Sequence, residues 1–191
     1  MVPSVHPIFN YFDRIYRVCP AARAALNELL GKERYTKNEL IQQTGNSCRT
    51  VYFVSSGIAR IFFYKDGEDI TEHFAFAGDV IVRAESLFTG EPTPKGIQAL
   101  QEVELLAIDA VKLFALYDTH HDVERLFRLI FEQEYVAAIK RVESLQLQHA
   151  TERYLDLVQT TDLINQIPLR YIASYLGITQ VSLSRIRAGL R

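Results

Sequence analysis

The sequence predicts an α+β protein: an N-terminal antiparallel β-roll with flanking helices, one long helix, and a C-terminal helix-turn-helix domain. Three observations carry this. Between Arg49 and Ile108 short β-rich runs are separated by turn residues roughly ten positions apart. From Val123 to Leu145 apolar residues recur at helical spacing for about seven turns. From Leu169 to Ala188 small and apolar residues fall where two short helices crossing at a tight turn need them.

At the N-terminus Phe9, Phe12 and Tyr16, then Leu26, Leu29 and Leu30, recur at helical spacing. Pro20 suits a helix's first turn, because its missing N–H would be unpaired there anyway. Two short helices are therefore expected. The strands follow as Arg49–Val54, Ile58–Tyr64, Ile70–Phe76, Val80–Val82, Ile97–Leu100 and Val103–Ile108, punctuated by Gly57, Asp66-Gly67 and Gly78-Asp79. Such a rhythm belongs to a compact antiparallel roll or sandwich. After Ala110 the pattern turns helical, and Val123, Leu126, Phe127, Ile130, Phe131, Tyr135, Ile139, Val142 and Leu145 form one stripe. A helix of that length exceeds a small domain's interior, and its stripe is wide enough to cover the roll and also a second copy of itself. A parallel two-fold homodimer through residues 118–148 is expected, with a core helix of one monomer as the alternative. His149–Thr151 reads as a hinge. The expected division is residues 1–117 for the roll, 118–148 for the long helix and 149–191 for the helix-turn-helix domain.

In the terminal domain a first helix is expected over Pro168–Leu176, with Leu169, Ile172, Ala173 and Leu176 on one face. Ala173 allows close crossing, Gly177 supplies a left-handed corner, and Ile178 plugs it. Thr179 can cap the second helix, from which Leu183, Ile186 and Leu190 would face back toward the first. Gln180, Val181, Ser184, Arg185 and Ala188 then point outward. Such a face suits the major groove of double-stranded DNA: Arg185 is the first choice for a base contact, Gln180 can bond adenine, and Val181 can touch a thymine methyl. Arg170, Arg187 and Arg191 surround that face and suit phosphates. From Leu163 onward there are four arginines and no Lys, Asp or Glu, although the whole chain carries a formal charge of -2. Positive charge is thus gathered at one end. An ordinary helical hairpin is the plain alternative.

The 191 residues, 48% hydrophobic, are long enough to bury a sizeable core. No apolar run approaches the ~20 residues that span a membrane, and Met1 to Tyr16 mixes Pro, His, Asn, Asp and Arg where a secretory signal needs an unbroken apolar stretch. A cytoplasmic location and no membrane partner are expected. Cys19 and Cys48 are too few for a zinc or iron–sulfur site without other ligands, and read as idle or buried thiols rather than a disulfide.

A β-roll, a long helix and a terminal helix-turn-helix, in that order, resemble the cyclic-AMP receptor protein and Fnr (Crp/Fnr) family of bacterial transcription regulators. The carriers are Val54-Ser55-Ser56-Gly57-Ile58-Ala59-Arg60, the turn Phe76-Ala77-Gly78-Asp79-Val80-Ile81, and Ile172 to Thr179 with Leu183-Ser184-Arg185-Ile186-Arg187. The resemblance implies a cyclic-nucleotide-binding-like roll (a double-stranded β-helix or jelly roll) and a winged-helix-like terminal domain. It also implies a homodimer on a near-palindromic operator, an effector pocket between each roll and its long helix, and RNA polymerase as a further partner. The departures bear on the effector. Counting from Gly78-Asp79, Val82-Arg83 stands where cyclic-AMP binders carry the Gly-Glu pair that holds the ribose, and Thr93-Pro94 where they carry the phosphate-binding Arg-Ser. Counting back from Thr151-Glu152-Arg153, the adenine-facing Thr and Ser become Ala138 and Ile139. An unpaired buried phosphate costs several kcal/mol, so cyclic AMP is not the expected effector. Arg83, Glu85, Ser86, Thr93 and Lys95, with Ala138 and Ile139, mark the candidate pocket for an unknown small molecule. Arg83 or Lys95 could meet an anion by another route, although Arg83, Glu85, Ser86 and Lys95 read first as solvated loop residues.

No cofactor is called for. An iron–sulfur sensor needs about four cysteines, His73 reads as a rim residue rather than a haem ligand, and His6, His120, His121 and His149 lie near helix ends or hinges. Two further readings remain open. One is a ligand-sensing or partner-binding module whose DNA-reading face has lapsed, motivated by Val181 where many relatives of that family carry a Glu. The other is a metal-dependent cupin-like enzyme, for which Glu72-His73 alone is a thin ligand set; the chain is otherwise read as a non-enzyme.

Overall fold

In a computed structural model the protein is described over residues 7–160 and 162–190. Two helices open it, α1 (Ile8–Ile15) and α2 (Pro20–Leu29), with Pro20 at the first turn and Cys19 as the cap whose sulfur accepts the Ala22 N–H. Eight strands follow: β1 (Gly31–Tyr35), β2 (Leu40–Gln42), β3 (Thr50–Ser56), β4 (Ile58–Lys65), β5 (Glu68–Phe76), β6 (Val80–Ile81), β7 (Gly96–Ala99) and β8 (Val103–Asp109), with a short helix α3 (Ala84–Thr89) between β6 and β7. They form two antiparallel four-stranded sheets, ordered β1-β8-β3-β6 and β2-β7-β4-β5. The β4–β5 turn is a two-residue hairpin, Asp66 and Gly67 both taking positive φ (53° and 81°), which matches strand twist. The expected strands are all present. β1, β2 and α3 were not anticipated.

The strands lack clean alternation because both faces of each sheet are covered. Between the sheets Tyr52, Val54, Ala59, Ile61, Ala75, Ile97, Val103 and Leu105 fill the roll's interior. On the outer face of the β3–β8 sheet, Phe53, Leu106 and Ile108 pack against Phe9, Phe12 and Leu26 of the opening helices. Leu113 of α4 (Ala110–Tyr117) and Phe127 and Ile130 of α5 (His121–Leu147) complete that layer. The outer face of the β4–β5 sheet is covered by the C-terminal helices.

Helix α5 runs 27 residues. Its first half is buried at Val123, Leu126, Phe127 and Ile130, whereas Tyr135, Val136, Ile139, Val142 and Leu145 continue the same stripe exposed. The helix stops at Gln148, which turns extended, and α6 (Ala150–Thr160) begins two residues later. A short 3-10 turn (Asp162–Gln166), α7 (Leu169–Tyr175) and α8 (Gln180–Gly189) complete the chain, and no strand accompanies them among the described residues. No helix is long and apolar enough to cross a membrane among those residues.

Candidate nucleic-acid interface and effector site

The α7–α8 pair is a helix-turn-helix. Pro168 stands just before α7, Leu176 ends it, and Gly177 takes φ +67°, turning the chain by a conformation that side chains with a Cβ resist. The Ile178 N–H returns to the Ala173 carbonyl at 3.0 Å, closing the corner. Thr179 caps α8, its hydroxyl accepting the Ser182 N–H at 3.1 Å. Ile172, Ala173, Leu176 and Leu183 are buried and Ile178 packs beside them. Leu190 departs from expectation: α8 ends at Gly189, and Leu190 lies 48% exposed rather than facing α7.

On the outer side of α8, Gln180, Val181, Ser184, Arg185 and Ala188 are exposed and Arg187 is half-buried; none carries an acidic neighbour within the helix. Arg170 is exposed too, but its guanidinium leans on its neighbour, donating to the Tyr171 hydroxyl at 2.8 Å. Arg191 and His6 lie outside the described residues.

The pair is docked on the roll. Ile58, Phe74 and Leu100 meet Tyr171, Ile172 and Leu176 in one apolar cluster, and Phe74 and Tyr175 pack with ring centroids 5.1 Å apart. Polar bonds fix the register: the Thr71 N–H donates to Ser174 Oγ at 2.8 Å, Arg141 of α5 donates to the Tyr175 carbonyl and stacks 3.8 Å from that ring, and Arg153 of α6 donates to the Leu176 carbonyl at 2.8 Å. These two arginines meet carbonyls that α7's short length leaves without helical partners.

Arg60 of β4 is the hub of this contact. It is 2% exposed, grips Asp69 with two parallel bonds of 2.5 and 2.6 Å, and reaches Gln98 and Thr71 at 2.9 and 3.0 Å. Its guanidinium lies between Phe62 and Tyr171, 4.6 and 3.7 Å from their centroids. A cleft of about 520 Å³ opens beside it between the roll and α7.

The candidate effector residues separate into two groups. Ser86 and Thr93 are structural: both are buried, Ser86 Oγ accepting the Cys48 N–H and donating to the Glu91 carbonyl, Thr93 Oγ1 accepting the Lys95 N–H at 3.3 Å. Arg83 and Lys95 converge on one carboxylate, Arg83 Nη1 at 3.2 Å and Lys95 Nζ at 2.5 Å from Glu72. The reading of Arg83, Glu85, Ser86 and Lys95 as solvated loop residues is therefore corrected at Arg83 and Ser86, which are 8% and 0% exposed; Glu85 is exposed as expected, Lys95 is half-buried, and Thr93 is 1% exposed. The segment before β3 covers this loop: Cys48 bonds Ser86, and Gly45 and Asn46 pair with the Thr93 backbone. Ala138 and Ile139 lie exposed on α5.

Glu72 owes its place to a β-bulge. Ile61 pairs with His73 and Phe62 with Thr71, so Glu72 is the extra residue and its side chain is re-aimed. Burial holds the neighbouring His73 imidazole below its usual range, against the opposing fields of Asp79 and Glu72. Among the described residues Arg83 Nε is buried without a hydrogen-bond partner. The cluster thus combines two cations, one anion and one unsatisfied donor. Sequence reasoning missed Glu72 here because a bulge has no side-chain signature.

Residues 32–120 match the family model for the cyclic nucleotide-binding domain. The fold is similar to that of FixK2 from Bradyrhizobium japonicum, 22% identical, at a TM-score of 0.70 over 84% of each chain. It is similar to a protein from Eubacterium rectale described as a transcriptional regulator of the Crp/Fnr family, 17% identical, at 0.70 over 95% of this chain and 85% of that one. It is also similar to the c-di-GMP-responsive global regulator CLP of Xanthomonas campestris, 14% identical, at 0.69 over 90% of this chain and 91% of that one. No curated protein matches the chain in sequence.

Proposed function

We infer that this chain, whose cyclic nucleotide-binding domain and overall fold are those of the Crp/Fnr-family regulators, is a sequence-specific DNA-binding transcription regulator acting as a homodimer. The observation that carries the reading is α8, capped by Thr179 and presenting Gln180, Val181, Ser184 and Arg185 to solvent with no acidic residue among them. Arg185 is assigned a guanine and Val181 a thymine methyl, while Arg170, Arg187 and Arg191 hold phosphates. The exposed apolar stripe on the second half of α5 supports the dimer, which would set two recognition helices on half-sites about one turn, ~34 Å, apart on a near-palindromic operator.

The effector we assign to the Arg83–Glu72–Lys95 cluster is a small anion other than cyclic AMP. Two cations on one carboxylate leave a net positive charge, and the unpaired Arg83 Nε offers a further donor. CLP, with a similar fold, responds to c-di-GMP, so the fold accommodates effectors other than cyclic AMP.

Selection of bound duplexes from a random pool tests the reading. Wild-type protein should enrich a near-palindrome. Arg185→Ala should lose roughly 10-fold or more in specific affinity, the worth of one bidentate base contact, and relax preference at one position per half-site. Arg187→Ala should weaken all sequences alike and lower the salt slope by about one. A pool that enriches nothing, with little salt-dependent affinity, would favour the lapsed-face reading motivated by Val181.

A further inference from the structure

The structure assigns a binding site for one borderline divalent transition ion, zinc foremost, to Cys19, His120 and Asp122. These residues are remote from both the helix-turn-helix and the Arg83–Glu72–Lys95 cluster, and the assignment rests on neither. Cys19 precedes α2, His120 precedes α5, and Asp122 lies in the first turn of α5, yet one ligand atom from each falls within 4.8 Å of the other two. A thiol, an imidazole and a carboxylate have converged from segments a hundred residues apart.

The donor set selects the ion. Magnesium and calcium take oxygen ligands, whereas sulfur, nitrogen and oxygen together suit zinc and its neighbours cobalt and nickel. Ligand atoms around tetrahedral zinc lie about 3.5 Å apart, so closure from the present spacing requires side-chain shifts of about 1 Å or less. Cys19 is exposed and His120 half-buried, so both have room to make them. The backbone is already fixed: the Cys19 N–H donates to Asp122 Oδ2 at 2.6 Å and the Val123 N–H to Oδ1 at 3.1 Å, which hold the carboxylate in place with lone pairs to spare. The Ala22 N–H bonds Cys19 Sγ at 3.4 Å and orients the sulfur. The His120 imidazole makes no hydrogen bond among the described residues, which leaves both ring nitrogens free for coordination. Three protein ligands leave a fourth vertex for water or an exogenous donor.

Zinc binding releases the thiol proton to solvent and forms bonds to Sγ, one imidazole nitrogen and one carboxylate oxygen, with no change in oxidation state. Occupancy would tie the start of α2 to the start of the long helix, the element on which the proposed dimer depends.

The test uses full-length protein stripped by chelator and titrated with zinc chloride, and in parallel with cobalt(II), whose thiolate charge-transfer band reports sulfur coordination. The expected result is one ion per chain, a raised melting temperature with zinc, and a charge-transfer band with cobalt. Cys19→Ser should abolish the band, and His120→Ala and Asp122→Asn should each weaken binding at least 10-fold. Cys48→Ala should leave the band unchanged, because Cys48 is buried in the roll. Circular dichroism of each unloaded variant establishes that it is folded. Binding well below one ion per chain, a band that survives Cys19→Ser, or zinc affinity indifferent to His120→Ala would overturn the site. Neither dimerisation nor DNA affinity enters these readouts, so the site can fail without touching the proposed function.

Discussion

Val142 is the cleanest probe of the proposed dimer, being 49% exposed on the second half of α5 and outside all three candidate binding sites. Full burial of a valine stabilises by about 1.5 kcal/mol, so roughly half remains to be gained per protomer, or about 1.5 kcal/mol over a two-fold interface. Val142→Asp forfeits that and sets two like charges near the axis, each losing water, at a cost of several kcal/mol. Together these exceed ~4 kcal/mol, which weakens the dimer dissociation constant by about a thousandfold. Within one protomer the position is half-exposed, so the melting temperature of the separated chain should hardly change. Sedimentation equilibrium over a concentration series measures the first quantity and circular dichroism the second. A Val142→Asp protein that associates as wild type does, or a wild-type protein that is a lone protomer at tens of micromolar, refutes the reasoning. The exposed stripe from Tyr135 to Leu145 would then be bare surface.

Asp69→Asn removes the charge partner of Arg60, which is 2% exposed, and should cost about 2–4 kcal/mol in urea unfolding, less than a fully buried pair because Asp69 itself is 32% exposed. Gly57→Ala should cost at least about 2 kcal/mol, because φ is +92° and the new Cβ would sit 2.2 Å from the Glu102 carbonyl oxygen; a lowered urea midpoint with unchanged slope is the expected sign. Burial, assisted by Asp79, pushes the Glu134 carboxyl from an ordinary 4.5 up to about 7. Since the folded state holds that proton more tightly, the associated stability is complete below pH 4.5 and lost as pH rises through 7. Glu134→Gln should remove this dependence and stabilise the protein at pH 8 by about 2 kcal/mol at this half-buried position, read from unfolding midpoints at pH 5 and 8.

Much of the fold was legible because its determinants are local. Pro20, the Asp66-Gly67 hairpin and Gly177 each act through a backbone preference that the residue itself declares. The long helix announced itself by period, and the helix-turn-helix by the sizes of Ala173, Gly177 and Leu183. β1, with the charged run Lys32-Glu33-Arg34, was not legible, because it is an edge strand: pairing with β8 holds it, and Arg34 is ion-paired with Glu104 across the ladder rather than buried. The proposed effector cluster was half legible. Arg83 and Lys95 could be singled out in a loop, but the pairing with Glu72 depends on a bulge that slips register by one residue. The docking of α7 on β5 was not foreseen, since Ile58 and Phe74 read equally well as interior residues of the roll.

That docking constrains any mechanism by which an effector acts on DNA binding. The terminal domain covers the outer face of the β4–β5 sheet, while Glu72, one residue from Thr71 on the same strand, holds Arg83 and Lys95 of the proposed effector site. Thr71 donates its N–H to Ser174 and accepts a bond from Arg60, so a shift of the bulge would move both the proposed effector cluster and the seat of α7. Arg141 adds a second link, because it projects from α5 to cap α7 and its charge acts on His73 beside that bulge. Undocking would return Arg60 and Asp69 to water, which solvates a bidentate ion pair well, and would expose the apolar cluster in which Ile58, Phe74 and Leu100 meet Tyr171, Ile172 and Leu176, where the main cost lies. The polar links fix the docked register, so a second position of the terminal domain would have to cover that apolar surface again. The proposed effector would therefore have to favour one setting of the bulge over the other by enough to offset that cost if it is to reposition the arginine-bearing helix.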